Sequence, residues 1–275
     1  MKQTLPKRIW AFWEPKTAIP GYIQLCLKTW KKGFPDSELV VLDYENLGEY
    51  LTQEEQDAVL LKTMSLPMQA DCIRCALLKK FGGVWLDTDT LFTKPLDDRF
   101  AKADVSIVAR VRKGKIDNYG AFICAMRPEA KFICDWHAQL VERIAKARRW
   151  RDSVLYWLLR HRDWRQMRRW NYCMNAMIDP LAATADAKDY QAILEETVCA
   201  HPEERMATGE EADRSQLYRD FWFRPGDPAD VLRDNAGILM LHNSWTPPEY
   251  RAMSADEFLN ADVRLAALLR HLLVM

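Results

Sequence analysis

Hydrophobic positions recur along this chain in two rhythms. Arg8–Trp13 (RIWAFW) and Leu39–Leu42 read as strands. Between them Ile23, Cys26, Leu27 and Trp30 repeat at helical spacing within Tyr22–Lys32. Gly33, Pro35 and Asp36 supply the turn into the second strand. Strand, helix and strand this close together predict a βαβ unit and a parallel sheet. Helices are predicted at Thr52–Met64 and Pro67–Phe81. The first opens on Thr52 with Glu55 three residues later, the spacing of a capping box, and the second stops at Gly82-Gly83. Strands follow at Val84–Asp87, Val105–Val111 and Ala121–Met126. Glu129–Asp179 holds neither Gly nor Pro, so an insertion over 129–196 is expected to be mainly helical. A late strand, Ile238–Leu241, precedes His242-Asn243-Ser244-Trp245, and the tail from Ala255 reads as helix. The expectation is one α/β domain over 1–275 with a helical insertion.

Composition narrows the class. The chain has 275 residues, 49% hydrophobic and 28% charged, which suits a folded protein with a full core. Lys+Arg and Asp+Glu are equal at 39 each, so the basic excess of a nucleic-acid binder is missing. The opening MKQTLPK lacks the apolar stretch of a signal peptide, and no apolar run approaches the ~18–20 residues of a membrane span. Seven cysteines at irregular spacing point to a reducing compartment. The expected location is cytoplasmic.

The chemistry concentrates in Ala70–Thr90, ADCIRCALLKKFGGVWLDTDT. Asp87 and Asp89 flank Thr88 at a strand end, where residues two apart on an extended chain point the same way. Two carboxylates held together repel unless a cation separates them. Their hard oxygens suit Mg²⁺ or Mn²⁺ with the shell completed by phosphates. On the preceding helix Cys72, Ile73, Ala76 and Leu77 make an apolar stripe. Asp71 and Arg74, three apart, fall on the opposite face. They are either a surface ion pair or a matched donor and acceptor for a polyhydroxyl ligand. Leu86–Leu91 (LDTDTL) also fits the D-x-D-x-T motif of haloacid-dehalogenase-type phosphatases, though that motif usually stands on the first strand. Cys72-Ile73-Arg74-Cys75 has no second C-x-x-C, so two helix-packed thiols are expected. His137, His161, His201 and His271 read as structural or surface residues, and Trp10 and Trp30 as core.

The run Asp71-x-x-Arg74, Gly82-Gly83-Val84-Trp85 and Asp87-x-Asp89 resembles the sugar-binding region of DXD-containing glycosyltransferases. With Pro6–Trp13, the Cys26–Trp30 helix and His242–Trp245, the chain resembles the bacterial capsular polysaccharide synthesis glycosyltransferases, which are similar to α-mannosyltransferases and glucosylating toxins. The resemblance covers most of 5–126 and 236–246. It implies a GT-A-type nucleotide-sugar-binding domain, Rossmann-like with a mixed sheet, a nucleotide-sugar donor, most simply a UDP-sugar, and Mn²⁺ or Mg²⁺. It implies transfer to a glycan or lipid-linked glycan acceptor in surface polysaccharide synthesis, with retention. Phe12 and Trp13 would lie against the base or ribose. Asp71 would hold sugar hydroxyls, Arg74 the sugar and diphosphate, and Asp87 the sugar or ribose. Asp89, with His242, would ligate the metal, Asn118 would stand near the reacting sugar, and Ser244 and Trp245 would close over the diphosphate. Asp179-Pro180 stands where relatives often carry Gly-Pro. A catalytically idle sugar-binding protein is the remaining alternative.

One further segment stands out. Lys146–Trp170 carries nine Lys or Arg against Asp152 and Asp163, inside a chain of zero net charge. As a helix it would set Trp150, Val154, Trp157, His161 and Trp164 on one stripe between arginines. Peripheral docking on an anionic membrane, packing on its own domain and binding of an anionic glycan all fit that pattern.

Overall fold

The structure is a computed structural model and describes residues 5–61, 64–96, 98–112, 114–118, 120–151, 173–198, 213–232 and 237–274. Down the chain run β1 (Arg8–Phe12), α1 (Gly21–Gly33), β2 (Glu38–Leu42), α2 (Gln53–Val59), α3 (Leu66–Phe81), β3 (Gly83–Leu86) and β4 (Thr90–Phe92). β5 (Val105–Arg112), β6 (Lys115–Asp117), β7 (Phe122–Ala125), α4 (Lys131–Arg151), α5 (Asn175–Ala182) and β8 (Tyr190–Leu194) follow. The last third holds α6 (Arg214–Trp222), α7 (Ala229–Leu232), β9 (Ile238–Met240), α8 (Pro248–Ala252), α9 (Ala255–Leu259) and α10 (Arg264–Val274). Two compact units emerge. One comprises Met1–Glu14, Glu38–Leu86 and Asp98–Leu194, the other Pro15–Ser37, Asp87–Asp97 and Glu195–Met275.

The first unit is built on a seven-stranded mixed sheet of order β2-β1-β3-β7-β5-β6, with β8 also on β5. β1 runs parallel to β2, Arg8 opposite Glu38 and Phe12 opposite Leu42, and parallel to β3 on its other side. The expected parallel pairing is present. β7 is antiparallel to both β3 and β5. Residues 129–196 are not all helix, because Tyr190–Leu194 is a strand parallel to β5. Lack of Gly and Pro permits a helix without excluding a strand, and five residues with no apolar periodicity gave no warning of one.

Local chemistry fixes the ends of these elements. Thr52 and Glu55 form the expected capping box. α2 stops at Val59 rather than Met64, and Arg148 of α4 donates to the freed carbonyls of Asp57 and Leu60. α3 ends on Gly82, at φ +63° and ψ −153°, a conformation open essentially to glycine alone. Gly83 follows at φ +103°, where an added Cβ would stand 2.7 Å from Trp10 Nε1. Trp10, fully buried, donates its indole N–H to Gly82 C=O at 2.9 Å. Cys72 and Cys75 are buried thiols, as expected.

The second unit centres on α1 and the two-stranded antiparallel sheet β4-β9. Buried Trp30 donates to Thr90 C=O at 2.7 Å, and Thr29 Oγ1 accepts from the N–H of Phe92 at 2.9 Å. Gly33 lets the Phe92 ring pack against α1, since a Cβ there would meet it at 2.5 Å. Leu265, Leu268, Leu269 and Leu272 bury the inner face of α10. Among the described residues no helix is long and apolar enough to cross a membrane. Of Lys146–Trp170, α4 carries the part up to Arg151; the remainder lies outside the described residues.

Candidate active site

In the strand order β2-β1-β3, one connection leads to each side of β1. Parallel strands that part in this way leave a crevice beyond their carboxyl ends, where α/β proteins take ligands. Phe12 closes β1 and Trp13 follows it, both part-exposed, with Trp13 N–H donating to Leu42 C=O at 2.9 Å. Tyr44, beyond β2, meets Phe12 edge-on at 5.4 Å and adds an aromatic surface that the sequence did not single out. Its hydroxyl donates to Gln69 Oε1 at 2.5 Å.

Asp71 and Arg74 are not a surface pair. On α3 both are buried, with side chains only 11% and 4% exposed, and Arg74 Nη1 lies 3.4 Å from Asp71 Oδ1. Both faces of the helix are covered, so a stripe argument alone could not separate core from solvent. The guanidinium lies over the Trp85 ring at 4.8 Å, and Nη1 donates to Gly120 C=O at 2.6 Å. Gly120 has φ +70°, and a Cβ there would stand 1.9 Å from Met174 Cε and 2.5 Å from Arg74 Nη1. Only glycine brings that carbonyl to the arginine.

Asn118 is fully buried. Its Nδ2 and backbone N–H both donate to Asp179 Oδ1, at 2.9 and 3.1 Å, and its Oδ1 accepts from Tyr190 at 2.5 Å. The structure thus commits this amide to its own fold and does not expose it. Asp117 is held by Arg110 at 3.0 Å and by Asn175 Nδ2.

The acidic pair belongs to the second unit. β3 ends at Leu86, and Asp87–Thr90 forms a turn closed by Thr90 N–H to Asp87 C=O at 3.0 Å. The carboxylates therefore do not share a direction through strand alternation, as the sequence suggested; a turn brings them near each other. Burial, together with the charge of Asp87, pushes the Asp89 carboxyl up to about 7. Asn243 N–H donates to Asp89 Oδ2 at 2.9 Å and opposes that rise. Tyr22 of α1 in turn donates to Asn243 Oδ1 at 2.5 Å. A carboxylate that keeps its proton near neutrality beside a second carboxylate is a group that a divalent cation would relieve, so the donor chemistry fits Mg²⁺ or Mn²⁺.

Among the described residues no three His, Cys, Asp or Glu side chains gather as a metal site. The His242 imidazole packs against Trp245, ring centres 4.0 Å apart, and edge-on to Tyr218 at 5.5 Å. Trp245 is part-exposed and Ser244 exposed, the two together on a short 3-10 turn. Sequence reasoning missed Tyr44 and Gly120, and the partners Tyr22, Tyr218, Asn175 and Tyr190. Trp85, Asn243 and Asp179 did lie inside motifs already singled out, without a role of their own.

The first unit is thus an α/β fold whose parallel strands β1–β3 part at their carboxyl ends, the place where α/β proteins commonly take ligands. The chain belongs to the family of capsular polysaccharide synthesis proteins, whose sequence profile matches residues 1–161. This is the family that the sequence resembled. No curated protein matches the chain. Among solved structures it is similar to the PaToxG glycosyltransferase, with 17% identity over 67% of this chain and 77% of that one and a TM-score of 0.34. It is also similar to the glycosyltransferase GlyE of Streptococcus pneumoniae TIGR4, with 11% identity over 99% of this chain and 61% of that one and a TM-score of 0.42.

Proposed function

We propose that this protein is a GT-A-type glycosyltransferase, moving a sugar from a nucleotide-diphosphate donor, a UDP-sugar, to a glycan or lipid-linked acceptor in capsular or other surface polysaccharide synthesis. The observation that carries the reading is the buried Asp71–Arg74 pair, in a family tied to polysaccharide synthesis. A buried ion pair is weak evidence for stability, because desolvation offsets most of its attraction. An acceptor beside a fixed cation does suit a sugar hydroxyl next to a phosphate.

In this reading Phe12, Trp13 and Tyr44 take the base and ribose. Asp71 accepts from donor-sugar hydroxyls, Arg74 holds the diphosphate, and Asp87 faces the sugar. Asp89 holds Mn²⁺ or Mg²⁺, which supplies positive charge against the leaving diphosphate. Ser244 and Trp245 cover the phosphates. No side chain is required as a nucleophile, and the anomeric configuration is retained. The basic aromatic segment 146–170 docks on anionic membrane, where a lipid-linked acceptor is presented.

The test is a panel of UDP- and GDP-sugars, assayed for Mn²⁺-dependent hydrolysis and for thermal stabilisation. A response to one UDP-sugar, lost in excess chelator, supports the proposal. Full activity in chelator removes the metal. Phosphate release from simple monoesters with no response to any nucleotide-sugar replaces the reading with a phosphatase. Co-sedimentation with anionic but not neutral vesicles, weakened by salt, checks the membrane contact.

A further inference from the structure

Arg74 donates to the carbonyl of Gly120, which lies between β6 and β7. Two residues of α5 hold the chain just before it. Asn175 and Asp179 are four apart and therefore on one helix face; Asn175 bonds Asp117 at the end of β6 and Asp179 bonds Asn118 beside it. Asn175 Nδ2 donates to Asp117 Oδ1. Asp179 Oδ1 accepts twice from Asn118, through backbone N–H at 3.1 Å and Nδ2 at 2.9 Å.

Tyr190 of β8 completes the arrangement by donating to Asn118 Oδ1 at 2.5 Å. Its ring is stacked on Phe132, centroids 4.6 Å apart at 16°, so the phenol has little room to turn away. Asn118 is thereby held at three atoms, two positions before Gly120. Gly120 itself cannot drift toward α5, since Met174 already fills the space a Cβ would need. The Gly120 carbonyl accepts from Arg74 Nη1 at 2.6 Å, closer than Asp71 Oδ1 at 3.4 Å or Met174 Sδ at 3.9 Å, while Trp85 covers the guanidinium face.

We infer that Asp179 is a positioning residue: by clamping Asn118 it fixes the Gly120 carbonyl, and so the direction in which the Arg74 guanidinium is presented. It touches neither sugar nor metal. Loss of its Oδ1 frees Asn118 on one side and lets the Gly120 carbonyl shift, so Arg74 gains rotameric freedom that binding must then remove. The catalytic consequence rests on the donor role proposed for Arg74; the positioning itself does not.

Two measurements on the full chain test this. In protein labelled at arginine, the guanidinium NMR signals of Arg74 are assigned by their loss in Arg74→Lys. They should stay sharp and slowly exchanging in wild type and in Asp179→Asn, whose Oδ1 still accepts from Asn118. In Asp179→Ala they should collapse toward the exposed arginines; unchanged signals there overturn the inference. With the active donor, Asp179→Ala should lower kcat/KM about tenfold or more and Asp179→Asn less than about threefold.

Placed in an Arg74→Lys background, Asp179→Ala should add no further loss. A full additional loss in that background means a purely structural role and also overturns the inference. Should Asp179→Ala fail to fold, Asp179→Ser, whose oxygen falls short of Asn118, takes its place in both measurements. If wild type ignores every nucleotide-sugar, the donor reading falls, and the guanidinium signals still decide the positioning.

Discussion

The two polar clusters are stabilised in opposite ways. In the first unit Arg74 is surrounded by protein groups: the Asp71 carboxylate, the Gly120 carbonyl and the Trp85 face. In the second unit Asp89 sits beside a like charge, with a backbone N–H as partial compensation. The first cluster places a cation among an opposite charge, a carbonyl and an aromatic face. The second places two like charges near each other, with burial raising the cost of ionising Asp89.

The largest effect should come from Asp89→Asn. Under the proposed function it is expected to lower sugar transfer by about 10³-fold or more, because the side chain would keep its shape while losing the charge proposed to hold a cation. Its far-ultraviolet circular dichroism should match wild type. Activity within tenfold of wild type would erase the contrast, since the second cluster would then need no cation.

Next comes Asp71→Ala, with an expected loss of ~10²-fold in kcat/KM, about 2.7 kcal/mol. Steady-state kinetics over donor concentration checks it. A loss under threefold would make the first cluster a packing feature.

Gly120→Ala sharpens the claim of rigidity. A Cβ at φ +70° against Met174 and Arg74 should destabilise the fold by about 2 kcal/mol or more, read from chemical denaturation. An unchanged midpoint would mean that Gly120 is free to move.

The smallest effects separate the units by the sign of their pH dependence. His137 on α4 is held down to about 4 by burial and by Lys79, against an ordinary 6.5. Protonation therefore favours the unfolded chain, and the contribution of His137 is present above pH 6.5 and lost as pH falls toward 4. Asp89 is raised from 3.8 to about 7, so its contribution is present below pH 4 and lost as pH rises through 7. Melting temperatures of His137→Gln and Asp89→Asn, each subtracted from wild type across pH 4–8, should slope in opposite directions. Slopes of the same sign would break the comparison at its simplest point.

Much of the fold was legible because local rules governed it. The β1-α1-β2 run, the capping box at Thr52 and the Gly82-Gly83 stop follow from spacing and backbone chemistry alone. β8 was not legible, because a short strand added to a distant edge takes its identity from β5 rather than from its own five residues. Asp71, Arg74 and Asp89 stood out as residue types in a motif. Their environments did not, because Gly120, Asp179 and Asn243 lie far along the chain from the groups they hold. The twofold alternation drawn through Asp87 and Asp89 failed for a local reason: the strand ends at Leu86, before either aspartate.

The pairing of β4 with β9 carries a consequence for how the protein is made. Every strand of the large sheet has been synthesised once Leu194 emerges, whereas β4 at Thr90–Phe92 must wait for Ile238–Met240. At ribosomal speeds of 5–20 residues per second that wait is on the order of ten seconds. Throughout it Asp89 lacks the Asn243 N–H that anchors it. A nascent chain arrested before β9 would therefore carry every strand of the large sheet and an acidic turn still without its Asn243 anchor.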